Sequence, residues 1–181
     1  MSPLRDGFVV WFTGLSGAGK STIAARLEVA LRQHAVAVYS VDGDEIRRGL
    51  NRDLGYTDED RVESIRRISE LARILVSAGL VVIVAAISPF AEGRQRARSL
   101  FAEGAFIEVH VDTPLEVAEA RDTKGLYRAA REGRLLNFTG IDSPYEAPTS
   151  PEVRVGVQHS PEAAVADIVG ALVSRGLLGP S

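Results

Sequence analysis

The sequence predicts an α/β fold in three layers, with a central parallel sheet of about five strands and helices on both faces. Apolar, β-branched runs alternate along the chain with segments of helical periodicity, and this alternation is typical of a parallel sheet. The run at 80–87 has no polar residue in it, as expected of a strand buried on both faces. A glycine-rich loop connects the first apolar run to the first helical segment.

The predicted elements follow one another in regular order. Strands are predicted at 8–13, 36–41, 80–87, 105–111 and 153–157. Helices are predicted near 20–33, 44–50, 57–78, 91–102, 114–121 and 125–132, with a last one from Pro161. Thr57 precedes three acidic residues and is suited to cap its helix. No internal repeat or linker interrupts this order, so we expect a single domain over residues 1–181.

Residues 122–150 are polar and are interrupted by Gly and Pro. A connection of that length is uncommon in a compact domain unless it is functional, so we interpret it as a lid. Basic residues in such a lid, Arg121 and Lys124 among them, could neutralise charge during a transfer reaction. Arg128 and Arg131 are interpreted instead as surface charges of a short helix.

Composition excludes several classes of function. The chain has 181 residues, 45% apolar and 25% charged, with a formal net charge of −3, which is an ordinary globular mixture. The acidic balance argues against nucleic-acid binding. Cysteine is absent and the three histidines are scattered, so no metal-ligand spacing is present. No apolar run is long enough to cross a membrane and no secretory signal is evident, so a cytoplasmic protein is expected.

The glycine-rich loop Gly14–Ser21 reads GLSGAGKS and matches the pattern G-x-x-x-x-G-K-[ST]. Glycines let such a loop wrap a phosphate with its N–H groups pointing inward, and the following helix N-terminus favours negative charge. Lys20 can reach the β- and γ-phosphates, and the Ser21 hydroxyl can ligate Mg²⁺. The predicted ATP site contains Gly14, Leu15, Ser16, Gly17, Ala18, Gly19, Lys20, Ser21, Thr22 and Arg121.

Two carboxylates, Asp42 and Asp44, flank Gly43 directly after the second predicted strand. One of them could orient an acceptor hydroxyl or take its proton, or could hold Mg²⁺ through water. Alternatively, an aspartate here caps the next helix. Because ligands of parallel sheets bind beyond the carboxyl ends of the strands, Asp42, Ser88 and Asp112 are expected to face the same cleft as the loop.

Other candidate residues flank this cleft. Arg47 and Arg61 could hold an anionic acceptor bidentately. Ser88 precedes Pro89 and could contact a phosphate, accept one covalently, or cap the turn. Phe138 lies in a polar stretch, where it either packs under the lid or stacks on a base, and Tyr56 is similarly placed in a loop.

Together these motifs resemble the adenylyl-sulfate kinases, which phosphorylate adenosine 5′-phosphosulfate in sulfate assimilation. The resemblance covers about residues 7–156, most of the chain. Its motifs are the loop 14–21, Asp-Gly-Asp at 42–44, GLNRDLG at 49–55, ISPF at 87–90, KGLY at 124–127 and FTGIDSPYE at 138–146. Many kinases share the phosphate loop, whereas the last motif combined with Asp-Gly-Asp is much more specific.

The resemblance implies how the site works. ATP would bind at 14–21 with Mg²⁺ on Ser21, and Asp42 and Asp44 would serve transfer to the 3′-hydroxyl of adenylyl sulfate. Ser88 matches a position described in this family as a phosphoserine intermediate. The family is commonly dimeric, so a homodimer is expected.

The resemblance also implies an acceptor site. Its members would be Arg47, Asn51 and Arg61 at the phosphosulfate end, Tyr56 and Phe138 on either side of the adenine, Ile141 nearby and Lys124 on the lid. The sequence departs from the family pattern at three positions. Tyr56 replaces Phe and preserves stacking, Glu45 replaces Asn, and Ser64 replaces an Asn that contacts the acceptor nucleotide.

The sequence therefore predicts a phosphate-loop kinase that converts adenylyl sulfate and MgATP to 3′-phosphoadenylyl sulfate and ADP. One alternative is a kinase of another small hydroxyl acceptor. Another is a nucleotide-binding module without turnover, although retention of Lys20, Ser21, Asp42 and Asp44 together counts against it.

Overall fold

A computed structural model describes residues 7–179. Its strands are β1 (Val9–Thr13), β2 (Val38–Asp42), β3 (Val81–Ala85), β4 (Phe106–Asp112) and β5 (Val153–Gly156). Its helices are α1 (Lys20–Gln33), α2 (Gly43–Arg48), α3 (Asp58–Ser77), α4 (Ala91–Arg98), α5 (Leu115–Arg121), α6 (Leu126–Arg131) and α7 (Pro161–Ser174). The strands form one parallel sheet in the order β2-β3-β1-β4-β5, which confirms the predicted fold class.

The sheet is sandwiched between two apolar layers. Every residue of β1 and β3 is buried, because these strands lie inside the sheet and their side chains alternate between its two faces. One face packs against α1 and α7 through side chains such as Leu27 and Ile168. The other packs against α3 and α4, with Trp11 and Ile68 in its centre. The protein therefore has three layers, with the sheet between two layers of helices.

Side-chain caps define several helix ends. The Thr57 hydroxyl accepts a hydrogen bond from the Asp60 N–H at 3.2 Å, as its position in the sequence predicts. The Asp42 carboxylate does the same for α2, and Ser160 does so for α7. Gly79 follows α3 with a φ of 84°, a conformation that glycine adopts without strain. These capping residues determine where the helices begin and end.

Several predicted elements are shorter than expected. β3 ends at Ala85, and the predicted strand residues 86 and 87 lead into a turn at Ser88, which has a φ of 46°. The fourth helix of the chain ends at Arg98, four residues before its predicted end. Within residues 122–150 the structure has one helix, α6, and the Asp122 carboxylate accepts hydrogen bonds from the N–H groups of Tyr127 and Arg128 in its first turn.

The carboxyl ends of β1, β2 and β3 open onto one cleft. The expectation that Asp112 also faces this cleft is wrong. Asp112 ends β4, which lies on the far side of β1, and it pairs there with Arg154 on β5 at 3.2 Å. Between residues 7 and 179, no helix is both long and apolar enough to cross a membrane.

Candidate active site

The cleft has a volume of about 350 Å³ and two distinct halves. The phosphate loop and the end of α5 form one half, which includes Lys20, Ser21 and Arg121. Residues from α2, α3 and the turn after β3 form the other half, which includes Arg61 and Ser88. Asp42, which ends β2, and Asp44, in the first turn of α2, also line the cleft.

The loop has the backbone that its glycines predict. Gly14 has a φ of 149°, and a Cβ atom there would lie 2.6 Å from the carbonyl oxygen of Val111. Gly19 has a φ of 109° immediately before α1. A side chain at either position would strain the backbone, and at Gly14 it would also collide with β4. The loop can therefore take this shape only with glycine at these positions.

Lys20 is folded back into the loop. It is 9% exposed, and its ammonium donates hydrogen bonds to the carbonyls of Gly14 and Leu15 at 2.9 and 2.7 Å. Burial, followed by the nearby charge of Lys124, lowers the pKa of Lys20 to about 8. Asp44 and Asp42 oppose this by favouring the charged form. An incoming anion would act in the same direction as these carboxylates.

Asp42 joins the phosphate loop to α2. Its Oδ2 accepts a hydrogen bond from the Ser21 hydroxyl at 2.8 Å, while its Oδ1 accepts one from the Asp44 N–H at 2.8 Å. The capping interpretation of Asp42 is thus correct, and it leaves the carboxylate directed at Ser21 as well. Asp44 forms a salt bridge with Lys124 from the polar segment 122–150. Both members of that pair are more than half exposed.

Arg47 and Arg61 lie together beside Tyr56. Their guanidinium carbons are 4.3 and 5.8 Å from the centre of the Tyr56 ring. Arg47 donates to the carbonyl of Gly55. Arg61 donates to the carbonyls of Tyr56 and Asn137. Burial, with a further contribution from the charge of Arg47, lowers the pKa of Arg61. Two cations bonded to neutral carbonyls form a site suited to an anion.

Asn51 lies behind the cleft and not on its lining. It is buried, and its Nδ2 donates to the Ser64 hydroxyl at 2.8 Å. Among the described residues, its Oδ1 has no hydrogen-bond partner. Ser64 does line the cleft, and because its oxygen already accepts from Asn51, its own O–H is available to donate. Asn51 is therefore one hydrogen bond removed from the cleft, behind Ser64, and the direct acceptor contact that the resemblance implies stays a prediction.

Phe138 belongs to a core cluster and does not line the cleft. It is 3% exposed and packs edge-on against Tyr127, with ring centres 5.0 Å apart. Ile141 packs against the same cluster. Of the two interpretations of Phe138 from the sequence, this structure shows the one in which the ring packs beneath the segment 122–150. The Asp142 carboxylate accepts hydrogen bonds from the N–H groups of Asn137 and Phe138, and this turn directs the ring inward.

Ser88 lines the cleft but is almost enclosed. It is 1% exposed, and its hydroxyl accepts a hydrogen bond from the Trp11 indole at 3.0 Å. The Thr13 hydroxyl donates to the Ile87 carbonyl at 2.7 Å. Neither Trp11 nor Thr13 was identified from the sequence, because both read simply as residues of a buried strand. No short-range signal marks a contact between residues more than seventy positions apart.

A phosphate loop whose serine is bonded to a strand-end aspartate, with its lysine on the same cleft of a parallel α/β fold, defines a P-loop phosphotransferase. The sequence profile described as "Adenylylsulphate kinase" matches residues 6–156. The chain belongs to this family. Its members named adenylyl-sulfate kinase include one from Klebsiella pneumoniae subsp. pneumoniae, 59% identical over 82% of this chain and 74% of its own. Another, from Pseudomonas aeruginosa, is 55% identical over 91% of this chain and 84% of its own.

Solved structures agree with this assignment. The APS kinase of Mycobacterium tuberculosis, solved in complex with AMPPNP and APS, is 45% identical and superposes with a TM-score of 0.89. The match covers 93% of this chain and 98% of that one. A hexameric APS kinase from Thiobacillus denitrificans is 30% identical with a TM-score of 0.73, and the match covers 98% of this chain and 31% of that one.

Lys20 provides a prediction about proton uptake. At a pH near 8, about half of the Lys20 side chains are uncharged, because the pKa is about 8. A bound polyphosphate favours the ammonium and raises this pKa, so ATP binding should be accompanied by uptake of up to about half a proton. Calorimetry in two buffers of different ionisation enthalpy measures the uptake. Lys20→Arg, which is charged throughout this range, should abolish it, and equal heats for the unmodified protein in both buffers would contradict the prediction.

Phe138 and Tyr56 should differ in their effect on stability. Phe138→Ala leaves a cavity in the core and should lower the free energy of unfolding by about 3–5 kcal/mol. Tyr56 is 40% exposed, so Tyr56→Ala should lower it by less than about 1 kcal/mol, the range of an exposed cation–π contact. Urea denaturation of both variants measures the difference. A stability loss for Phe138→Ala as small as that for Tyr56→Ala would show that the ring is not core.

Proposed function

We propose that this kinase transfers the γ-phosphoryl group of MgATP to the 3′-hydroxyl of adenosine 5′-phosphosulfate, giving 3′-phosphoadenylyl sulfate and ADP. The observation that carries the proposal is the division of one cleft between a phosphate loop and a pair of arginines, with Asp42 and Asp44 on its lining. Family membership supports it. The acceptor is the one with which the Mycobacterium tuberculosis relative was solved in complex.

The loop half of the cleft suits ATP. The triphosphate would lie in the loop 14–21, and Lys20 would exchange its two carbonyl contacts for the β- and γ-phosphates. Arg121 already reaches this half, since it donates to the carbonyls of Gly17 and Ala18. There it is placed to contact the nucleotide.

The Ser21–Asp42 pair fits a divalent cation. Their oxygens are 2.8 Å apart at the mouth of the loop, and Mg²⁺ in proteins prefers a few oxygen ligands together with water and substrate phosphates. Ser21 would be the direct ligand, and Asp42 would hold the ion directly or through water. When bound, the ion would neutralise charge on the β- and γ-phosphate oxygens.

The other half suits the acceptor. Arg47 and Arg61 would bind its phosphosulfate, the exposed face of Tyr56 would stack on its adenine, and Ser64 would donate a hydrogen bond. Phe138 and Ile141 would reach the adenine only if the segment 137–142 moved, because Phe138 is packed against Tyr127. We therefore propose Tyr56 as the aromatic residue that first contacts the acceptor.

Asp44 is better placed than Asp42 to receive the acceptor's proton. Both carboxylate oxygens of Asp42 are engaged, by Ser21 and by the start of α2. The salt bridge of Asp44 is to the exposed Lys124, and such surface pairs are weak enough to exchange readily. Opening it would free Asp44 for the hydroxyl and Lys124 for the phosphates. This exchange also gives residues 122–150 the function of a lid.

The homodimer remains a prediction. The Thiobacillus denitrificans relative is described as hexameric, and this chain matches 31% of its length.

The acceptor can be identified by measuring ADP release from MgATP with adenylyl sulfate, AMP and sugars as candidate acceptors. We expect release with adenylyl sulfate at a kcat/KM at least about 100-fold above that with AMP, because removal of the sulfate leaves the arginine pair incompletely bound. Release with a sugar alone would favour the alternative of another hydroxyl acceptor. No release with any of them would favour a nucleotide-binding module.

Asp44 and Ser88 should differ in their effect on kcat. Asp44→Ala should lower kcat about 10²- to 10⁴-fold, the range of a positioned acid or base. Ser88→Ala loses the hydrogen bond from Trp11 and should lower kcat by no more than about 10-fold, because in-line transfer requires no phosphorylated enzyme. Thermal melts check that both variants are folded. Rapid quenching with labelled ATP is the decisive control, since a kinetically competent phosphoserine at Ser88 would reverse the expected order.

A further inference from the structure

The arginine Arg94 on α4 is buried beneath the wall of the cleft. It is 4% exposed, and each part of its guanidinium group has a partner. Nε donates to the Glu108 carboxylate at 2.8 Å, Nη1 to the Ser88 carbonyl at 2.6 Å and Nη2 to the Glu146 carbonyl at 2.6 Å. A buried arginine requires such complete pairing. One carboxylate balances the charge, and the two carbonyls satisfy donors that it leaves free, so the identity of these carbonyls indicates which segments the arginine holds.

The first carbonyl belongs to the strained turn of the cleft wall. Ser88 has a φ of 46°. A residue other than glycine adopts this left-handed backbone conformation only when its surroundings hold it there. Arg94 holds its carbonyl and Trp11 holds its hydroxyl. Because Ser88 and Pro89 line the cleft, relaxation of this turn would change the shape of the acceptor half.

The second carbonyl belongs to the returning end of the proposed lid. Glu146 donates its N–H to the Pro89 carbonyl at 2.8 Å, and its carboxylate accepts from the Ala91 N–H at 2.7 Å. Arg94 adds the third bond of this attachment. The returning end of the segment 122–150 is therefore fixed to α4 and to the cleft wall at one point. Its other end is held to the cleft by the exposed pair Lys124–Asp44.

We propose that Arg94 is a positioning residue for the acceptor: one buried guanidinium holds the Ser88 turn in its strained conformation and fixes the returning end of the lid to it. This inference rests on the proposed function of the cleft. Arg94 does not line the cleft and acts through Ser88 and Glu146. Its loss should weaken acceptor binding and leave ATP binding unchanged, since neither carbonyl belongs to the phosphate loop.

Arg98 provides a matched control. It lies one helical turn further along α4 in the same ion-pair network, where it binds Glu152 and, more distantly, Glu108. Its main-chain contact is to the Phe106 carbonyl, outside the cleft lining. A lysine at position 94 or 98 keeps the positive charge but cannot reproduce the planar set of donors. Arg94→Lys and Arg98→Lys therefore disturb the same network, and only the former disturbs the wall and the lid.

The test compares steady-state kinetics of these variants with each substrate varied in turn. Arg94→Lys should raise the KM for adenylyl sulfate about 5- to 20-fold, because the acceptor senses only part of the roughly 10- to 150-fold contribution of a hydrogen bond to a charged group. The KM for ATP should stay within about 2-fold, and Arg98→Lys should leave both values within about 2-fold. Equal changes in both KM values, or equal effects of the two variants, would overturn the proposal.

A second variant guards against misfolding of Arg94→Lys. Glu146 is exposed, and Glu146→Ala removes the bond to the Ala91 N–H without touching the buried ion pairs. It should raise the KM for adenylyl sulfate about 2- to 5-fold, and no change would contradict the attachment of the lid to α4.

Hydrogen exchange without substrate separates this inference from the proposed function. Arg94→Lys should accelerate exchange at 86–90 and 143–147 by about 5-fold or more relative to Arg98→Lys, and equal exchange would overturn the proposal even if the acceptor were another molecule.

Discussion

Buried cations that bind main-chain carbonyls organise the carboxyl edge of the sheet. Lys20 binds the phosphate loop, Arg61 binds the turns at Tyr56 and Asn137, and Arg94 binds the turns at Ser88 and Glu146. Removing a cation from water is unfavourable unless its donors are satisfied. Carbonyl oxygens satisfy the donors but carry no full negative charge. The positive charge at this edge of the sheet is therefore not neutralised and can attract anions, while the loops are held in place.

The three cations differ in how they can respond to a ligand. Lys20 and Arg61 lie on the lining of the cleft, and burial lowers the pKa of each. A phosphate or sulfate can therefore replace their carbonyl partners and relieve the cost of burial. Arg94 faces Glu108 and lies off the lining, so its charge is already balanced. Two of the cations are suited to exchange partners during binding, and the third is suited to stay in place.

The sequence was sufficient for those features that depend on local chemistry. The order of strands and helices, the loop 14–21 and the Thr57 cap each follow from a pattern within a few residues. Phe138 shows why such reasoning is not sufficient elsewhere. Its neighbours in the chain are polar, but Asp142 turns the backbone and Tyr127, eleven positions away, provides the apolar partner. Arg94 could not be recognised either, because its partners come from three separate segments of the chain.

The position of Ser88 can be explained without a covalent role. Its strained backbone, its bond from Trp11 and the carbonyl contact of Arg94 all serve to shape the wall. A nucleophile requires an accessible oxygen and a base within reach, whereas this hydroxyl is enclosed and bonded to an indole that only donates. Backbone strain at a functional site can serve to pre-organise the shape of the site as well as to activate a reacting group. The contacts of Ser88 support a role in shaping the cleft wall, because each of them fixes the backbone or the rotamer and none activates the hydroxyl oxygen.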